Sequence, residues 1–339
     1  MTEKNLKEKK LSENSDSFKQ QNKAWDKDNQ AWWDWYVTLA DNSSSKIEKS
    51  FLSLPQPPKI KLPSKKKLKD ELSRPYAITK KDIKSFKNNG FIKLKNVLSL
   101  EATESLRLEI LSLLKKTFAT HFKSKKKYRF LSLEMMWLEN SLIKEFVLSA
   151  RIAKICAQLL EVKKIRLYHD NALVKEPGCG RTPWHYDDHH FPLATNDVVT
   201  AWIPAQAIPI EMGPLTFAKP LDVYKLVRDV EFNEFDTSYD KKIIDIFKTQ
   251  QVSVVEEPFE LGEVSFHHNL NFHTASENKT TQSRIVLANT YFADGARVVE
   301  NPTMISGDWK KFIPDTNPGE VVSSNLNPIC WPIEIKSKI

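Results

Sequence analysis

The chain has 339 residues, 40% of them hydrophobic, enough to bury a sizeable core in one large domain or two smaller ones. Its three cysteines, Cys156, Cys179 and Cys330, form no disulfide framework and no CxxC or CxxH pair, which excludes a disulfide-stapled secreted scaffold and predicts a cytoplasmic protein. The net charge of +8 is unevenly spread: 16 Lys/Arg against 11 Asp/Glu fall before Tyr76, leaving a near-neutral body without a helix-turn-helix, zinc-finger or RNA-binding motif, so no nucleic-acid partner is predicted.

Residues 1 to about 24 are rich in Lys, Glu, Ser, Asn and Gln and almost free of apolar side chains, so disorder is expected. They lack the apolar region of a secretory signal, and nowhere do about 18 uncharged apolar residues run together, so no membrane span is predicted. AWDKDNQAWWDWYVTLAD follows, in which Trp25, Trp32, Tyr36 and Leu39 share one helical stripe with Trp35 at its border. This reads as a helix docked on the body by its rings, with an aromatic substrate or partner surface as the alternative. Leu54 to Pro75 is rich in Pro and Lys and reads as an extended linker, so that residues 1–75 form a basic, largely disordered arm and the folded domain covers 76–339.

Within that domain Thr79 caps a predicted helix to about Asn88, Asn89-Gly90 ends it, and FIKLKNVL alternates as a strand. Ser99 caps a longer helix with Leu106, Ile110 and Leu113/Leu114 on one face. After a helical stretch around Phe146 to Leu160 the texture changes to five short strand-like runs, KKIRLYHDNALVKEP, DVVTAWIPAQAI, GPLTFAKP, GEVSFHHNLNFHTAS and SRIVLANTYFADG. Helices followed by strands indicate α+β, with helices packed on a strand-rich barrel or double sheet. A charged, partly helical insertion at residues 222 to about 258 reads equally well as a lid or as decoration.

The stretch WHYDDHHFP places His185 and Asp187 two apart, on one face of an extended chain, where both can chelate one ion. The natural third ligand is His273 in HHNLNFHTASEN. Two imidazoles and one carboxylate make the facial triad of a non-haem Fe(II) site, although a zinc hydrolase uses the same ligand types. Arg284, eleven positions beyond His273 on the next predicted strand, favours iron: its guanidinium fork suits the distal carboxylate of a 2-oxoglutarate chelated at the metal. Alternation sends Asp188 to the far face and leaves His189 as a candidate pocket residue. His267 and His268, five or six residues before His273 on an extended strand, read as structural, and Cys179 as a turn residue. Tyr186, Phe191, Met212 and Phe217 read as core, with Tyr186 also a candidate for the pocket wall.

From about Ile78 to Asp294 the sequence resembles the phytanoyl-CoA dioxygenase family of Fe(II)/2-oxoglutarate oxygenases, on the stretches ITKKDIKSFKNNGFIKLKNVLS, LVKEPGCGRTPWHYDDHHFP, VVTAWIPAQAIPIEMGPLTF and GEVSFHHNLNFHTASENKTTQSR. The resemblance implies a double-stranded β-helix, a jelly-roll or cupin-like core. It implies His185, Asp187 and His273 as Fe(II) ligands, Arg284 on the 2-oxoglutarate carboxylate, and Trp202 and Lys175 in the co-substrate pocket. O₂ is then the second co-substrate, ascorbate a supporting reductant, and a small-molecule or acyl substrate is hydroxylated with release of succinate and CO₂. Ala275 stands where the family often has a hydroxyl, and Ala218-Lys219-Pro220 where it commonly has Gly-Ser-His. Retention of Asp187 favours hydroxylation over halogenation. The alternative is a catalytically silent scaffold acting through the Trp-rich arm. The final Ser337-Lys338-Ile339 differs by one residue from the peroxisomal Ser-Lys-Leu address and carries a weak secondary expectation of import.

Overall fold

A computed structural model describes residues 29–40, 60–118, 130–233, 235–302 and 309–332. The expected disorder before Trp25, the docking of Trp25 and the C-terminal Ser337-Lys338-Ile339 lie outside these residues. Helix α1 (Asn29–Tyr36) carries the aromatic cluster, and Trp32, Tyr36 and the following Leu39 are buried as the stripe requires. The extended linker expected up to Pro75 is corrected by a helix, α2 (Lys65–Ser73), capped by Ser64. Its Leu68 and Leu72 enter the main core, and Glu71 accepts hydrogen bonds from Ser99 N and Oγ at 2.7 Å each. A lysine-rich run therefore hid a helix whose apolar positions four apart make one narrow stripe.

Helix α3 (Lys80–Asn89) starts with a capping box between Thr79 and Asp82 and ends at Gly90, whose φ of +77° only glycine adopts at little cost. Strand β1 (Phe91–Leu94) leads to α4 (Leu100–Thr117), whose Leu106, Ile110 and Leu114 are fully buried. Strand β2 (Phe130–Glu134), absent from the sequence reading, precedes α5 (Ser141–Val147) and α6 (Ala150–Leu160). Next come β3 (Ile165–Lys175), β4 (Val198–Pro204), β5 (Leu215–Lys219), α7 (Tyr224–Val227), α8 (Ser238–Thr249) and β6 (Ser253–Glu256). The expected single run GEVSFHHNLNFHTAS is two strands, β7 (Val264–His268) and β8 (His273–Ala275), separated by a reversal. Strands β9 (Arg284–Ala293) and β10 (Ile329–Trp331) complete the fold.

The strands form two antiparallel sheets. The larger runs β1-β7-β4-β9-β3-β10 with β2 on β3, and the smaller runs β6-β5-β8. This is the double sheet of a jelly-roll core, with helices α2 to α6 on the outer face of the large sheet. Alternation partitions the central strands: Val199, Ala201, Ile203, Ile285, Leu287 and Tyr291 pack beneath the helices, whereas Thr200, Trp202, Arg284, Ala288 and Thr290 line a cavity on the side of the small sheet. Both faces are buried, which explains the near-continuous apolar runs.

Candidate metal centre

Strand β3 ends in a tight loop in which Cys179 N donates to Glu176 O and Cys179 O accepts from Asn278 N, so Cys179 is the buried turn residue expected. The chain then reaches His185, which is in no regular strand. It forms an isolated antiparallel bridge with His273, His185 N to His273 O at 3.0 Å and His273 N to His185 O at 2.8 Å. Residues 88 positions apart are thus locked side by side as a reciprocally hydrogen-bonded pair.

The two rings are oriented in the same way. His185 Nδ1 lies 2.8 Å from Pro183 O, and His273 Nδ1 lies 3.0 Å from Asn271 O. A proton on each Nδ1 donates to the carbonyl and leaves Nε2 as the free lone pair. Asp187 Oδ1 lies 3.8 Å from His185 Nε2 and 3.7 Å from His273 Nε2, and the three ligand atoms fall within 4.8 Å of one another. The other carboxylate oxygen, Oδ2, accepts from Thr200 Oγ1 and contacts His267 Nε2, both at 3.2 Å. Burial by itself would raise the Asp187 pKa, but the imidazoles of His273, His267 and His185 hold the carboxyl far below the usual range. Burial lowers His185 and His273, while the Asp187 carboxylate beside them acts in the opposite direction.

His267 is therefore part of the centre. Counting residues along an extended strand placed it too far from His273, but the chain reverses between β7 and β8 and brings the two rings to 4.5 Å. Parity also fails after Asp187. Residues Asp187–His190 form a 3-10 turn, which leaves His189 exposed against Tyr186 at 4.2 Å and carries His190 into the cavity instead. The expectation for His189 is corrected on that ground. Asp188 faces away as expected, accepting from Asn269 Nδ2 at 2.8 Å. Tyr186 is outside the cavity lining, packed in a cluster with Phe272 and Tyr239.

The cavity has a volume of ≈ 140 Å³. A single water needs only about 10–15 Å³, so this is a ligand-sized chamber. Arg284, 1% exposed, points into it. Its Nη1 donates to Gly213 O at 2.8 Å and its guanidinium lies 5.3 Å from the Trp202 ring, while its buried Nε has no hydrogen-bond partner. No carboxylate among the described residues pairs with it, and burial pushes its pKa down to about 10. An uncompensated buried cation with an unused donor fits a ligand carboxylate. Gly213, at φ +77°, is required here: a Cβ would lie 2.1 Å from Ser276 O.

Lys175 does something other than line the cavity. Its fully buried Nζ donates to Gly180 O, Ala275 O and Ser276 O at 2.6–2.8 Å, which uses all three hydrogens. The side chain ties the loop after β3 to the end of β8 beside Arg284, and the expected contact with co-substrate is corrected accordingly. Ala275 lines the cavity, and the neighbouring Ser276 hydroxyl turns outward to Glu256.

Two segments flank the centre. Helix α1 covers its mouth: Gln30 donates to Phe130 O at 2.5 Å and accepts from Ser132 N at 3.2 Å, while Trp32, Trp33 and Tyr36 line the cavity. The insertion lies behind it. Tyr239, Ile243 and Phe247 of α8 pack on Trp184, Tyr186 and Phe272, the chain neighbours of the two histidines. Asp240, fully buried, accepts from Trp184 N at 2.8 Å and forms a two-point pair with Arg181.

The sequence model of the family described as "Phytanoyl-CoA dioxygenase (PhyH)" matches residues 86–286, more than half of the chain. Among solved structures, the non-heme alpha ketoglutarate dependent carbocyclase SnoK from nogalamycin biosynthesis is similar at a TM-score of 0.61 and 20% identity, over 76% of this chain and 99% of that one. The epimerase SnoN in complex with Fe3+, alpha ketoglutarate and nogalamycin RO gives 0.55 at 18% identity, over 74% and 97%. EctD from S. alaskensis with 2-oxoglutarate and 5-hydroxyectoine gives 0.52 at 15%, over 74% and 89%. At these identities the likeness is one of fold. No curated protein matches the sequence.

Proposed function

Because the chain belongs to the phytanoyl-CoA dioxygenase family, whose chemistry is that of Fe/2-oxoglutarate-dependent oxygenases, we propose that it hydroxylates a small molecule with release of succinate and CO₂. His185, Asp187 and His273 would hold Fe(II) on one face, leaving three positions for 2-oxoglutarate and O₂. When bound, the metal and its co-substrates supply the oxidising power for cleaving an unactivated C–H bond. The protein's part is orientation. Arg284 takes the far carboxylate of 2-oxoglutarate as a two-point pair, with Trp202 beneath the guanidinium. Thr200 and His267 hold the Asp187 carboxylate so that one oxygen faces the metal, and α1 keeps bulk water from the chamber. An intact carboxylate at Asp187 favours hydroxylation over halogenation. The proteins of similar fold include a carbocyclase and an epimerase, so cyclisation and epimerisation are the outcomes to be distinguished from hydroxylation.

The observation that carries this reading is Arg284, a buried cation with no carboxylate partner among the described residues and an unused Nε donor, in the chamber that the triad faces. A zinc hydrolase acting on a neutral substrate would tolerate its loss. With Fe(II), ascorbate and a metabolite panel, the protein is expected to convert 2-oxoglutarate to succinate, with His185→Ala as the blank. Arg284→Ala is expected to raise the apparent KM for 2-oxoglutarate by at least about tenfold, as for loss of a desolvated charge pair. Turnover no higher than the blank, or indifference to Arg284→Ala, overturns the reading.

A further inference from the structure

The end of the chamber away from Arg284 is built differently. Trp32, Trp33 and Tyr36 of α1 form one side, with Trp33 stacked on Phe130 at 4.4 Å, and all four rings belong to the cavity lining. Facing the cavity from β2 and β3 are Glu134 and Asn171, which are direct cross-strand partners. Glu134 Oε2 pairs with Lys311, and Asn171 Oδ1 accepts from Ser132 Oγ at 2.7 Å. Glu134 Oε1 and Asn171 Nδ2 make no hydrogen bond to a described residue and remain available to a ligand.

The charge pattern is as informative as the shape. Apart from histidines, the charged residues of the lining are Glu134, Asp187 and Arg284. With Asp187 assigned to metal and Arg284 to 2-oxoglutarate, the one charged side chain of the lining left to the substrate, histidines apart, is Glu134, whose Oε2 is held by Lys311 from outside the lining and whose Oε1 is the free acceptor. His169 beside it is held neutral by burial, which lowers it to about 4. A carboxylate or phosphate handle has only acceptors to set against Glu134 Oε1, with no cation of the lining left to receive it, and two acceptors facing each other in a desolvated site leave both without a hydrogen bond.

We infer that the site selects a small molecule with a flat or ring-shaped apolar body, held against the α1 rings, and a hydrogen-bond-donating handle, amine or hydroxyl, received by Glu134. Anionic acyl carriers are selected against. Helix α1 lies outside the residues the family model matches. The inference rests on the oxygenase reading only for assigning Arg284 and Asp187 to co-substrate and metal.

The test is equilibrium binding, independent of turnover. The full chain, loaded with Ni(II) and 2-oxoglutarate, is titrated calorimetrically with tryptamine, indole-3-ethanol and indole-3-acetate, three probes with one ring body and different handles. The amine and alcohol are expected to bind at least about tenfold more tightly than the acid. Glu134→Gln is expected to shrink that ratio to below about threefold, and Trp33→Ala to weaken the amine and alcohol alike, with Trp33→Phe restoring most of the affinity. Equal or tighter binding of the acid, discrimination that survives Glu134→Gln, or no detectable binding of any probe overturns the inference. If 2-oxoglutarate itself gives no binding heat during loading, the oxygenase reading has failed instead.

Discussion

Helix α1 and the insertion helix α8 are both short, both aromatic on one side, and both attached to the same small region of the fold, yet they serve the centre from opposite directions. Helix α1 contributes three side chains to the cavity. No residue of α8 lines it; Tyr239, Ile243 and Phe247 cover the backs of Trp184, Tyr186 and Phe272 instead. The difference comes from alternation along the ligand segments. Where His185 and His273 point inward, their neighbours point outward, so an element docked on the outer side touches the metal centre only through the backbone it supports. The lid reading of the insertion is thereby excluded for the described conformation: α8 is a brace, and α1 is the cover.

The contrast yields predictions of decreasing size. The largest effect is expected from Asp240→Ala, which removes the carboxylate partner of the partly buried Arg181 and the acceptor of Trp184 N. A buried pair broken on one side costs about 3–5 kcal/mol. Because Trp184 adjoins His185, Co(II) affinity should also fall by about 10–100-fold, as when groups orienting metal ligands are lost. If calorimetric melting shifts while Co(II) affinity does not, α8 supports the fold but not the centre. Trp33→Ala is the converse case, expected to leave Co(II) affinity within about threefold while weakening the indole probes. A smaller effect is expected from Gln30→Ala, which removes the two hydrogen bonds that Gln30 makes to β2. Losing them costs about 1–3 kcal/mol locally, read as faster amide exchange in residues 29–40 with no change in α8.

Acid provides the gentlest discrimination. Burial lowers His169 to about 4 and His190 to about 3. The ring of His190 meets Trp32 and Tyr36 of α1 edge-on. A group whose folded pKa lies below its unfolded value of about 6.5 contributes stability that is fully present above pH 6.5 and is lost as the pH falls toward the folded value. Stability should therefore decline from pH 6.5 toward 4, with the α1 side loosening first, because the ring of His190 packs directly on Trp32 and Tyr36. Thermal melts and amide exchange at pH 7.5 and 5 would show α8 exchanging before α1 if this assignment is wrong.

How much of the centre could be read beforehand depended on the range over which each rule holds. Chelate spacing is local, so His185 and Asp187 were visible in three residues, and ligand type with Arg284 recruited His273 across 88 positions. Three readings erred where a local rule was carried past the end of its element. Strand parity was applied to His189 after the chain had entered a 3-10 turn, which put His190 in the cavity. Distance along a strand was applied to His267 across a reversal. A lysine-rich composition concealed α2, where Leu68 and Leu72 carry the burial. Lys175 differs in kind, since nothing in its neighbourhood announces that three carbonyls from two loops converge on its Nζ.

Most element types, the candidate metal ligands, the candidate carboxylate-gripping arginine and the resemblance to the family follow from short-range periodicity, ligand chemistry and motif spacing, because those properties are local to a few residues. The tertiary structure alone decided that His267 and Thr200 hold Asp187, that α8 braces the ligand loop and that α1 walls the chamber. Each of these depends on which face of one element meets which face of another, and such pairings are set by the packing of the whole core rather than by any one stretch of chain.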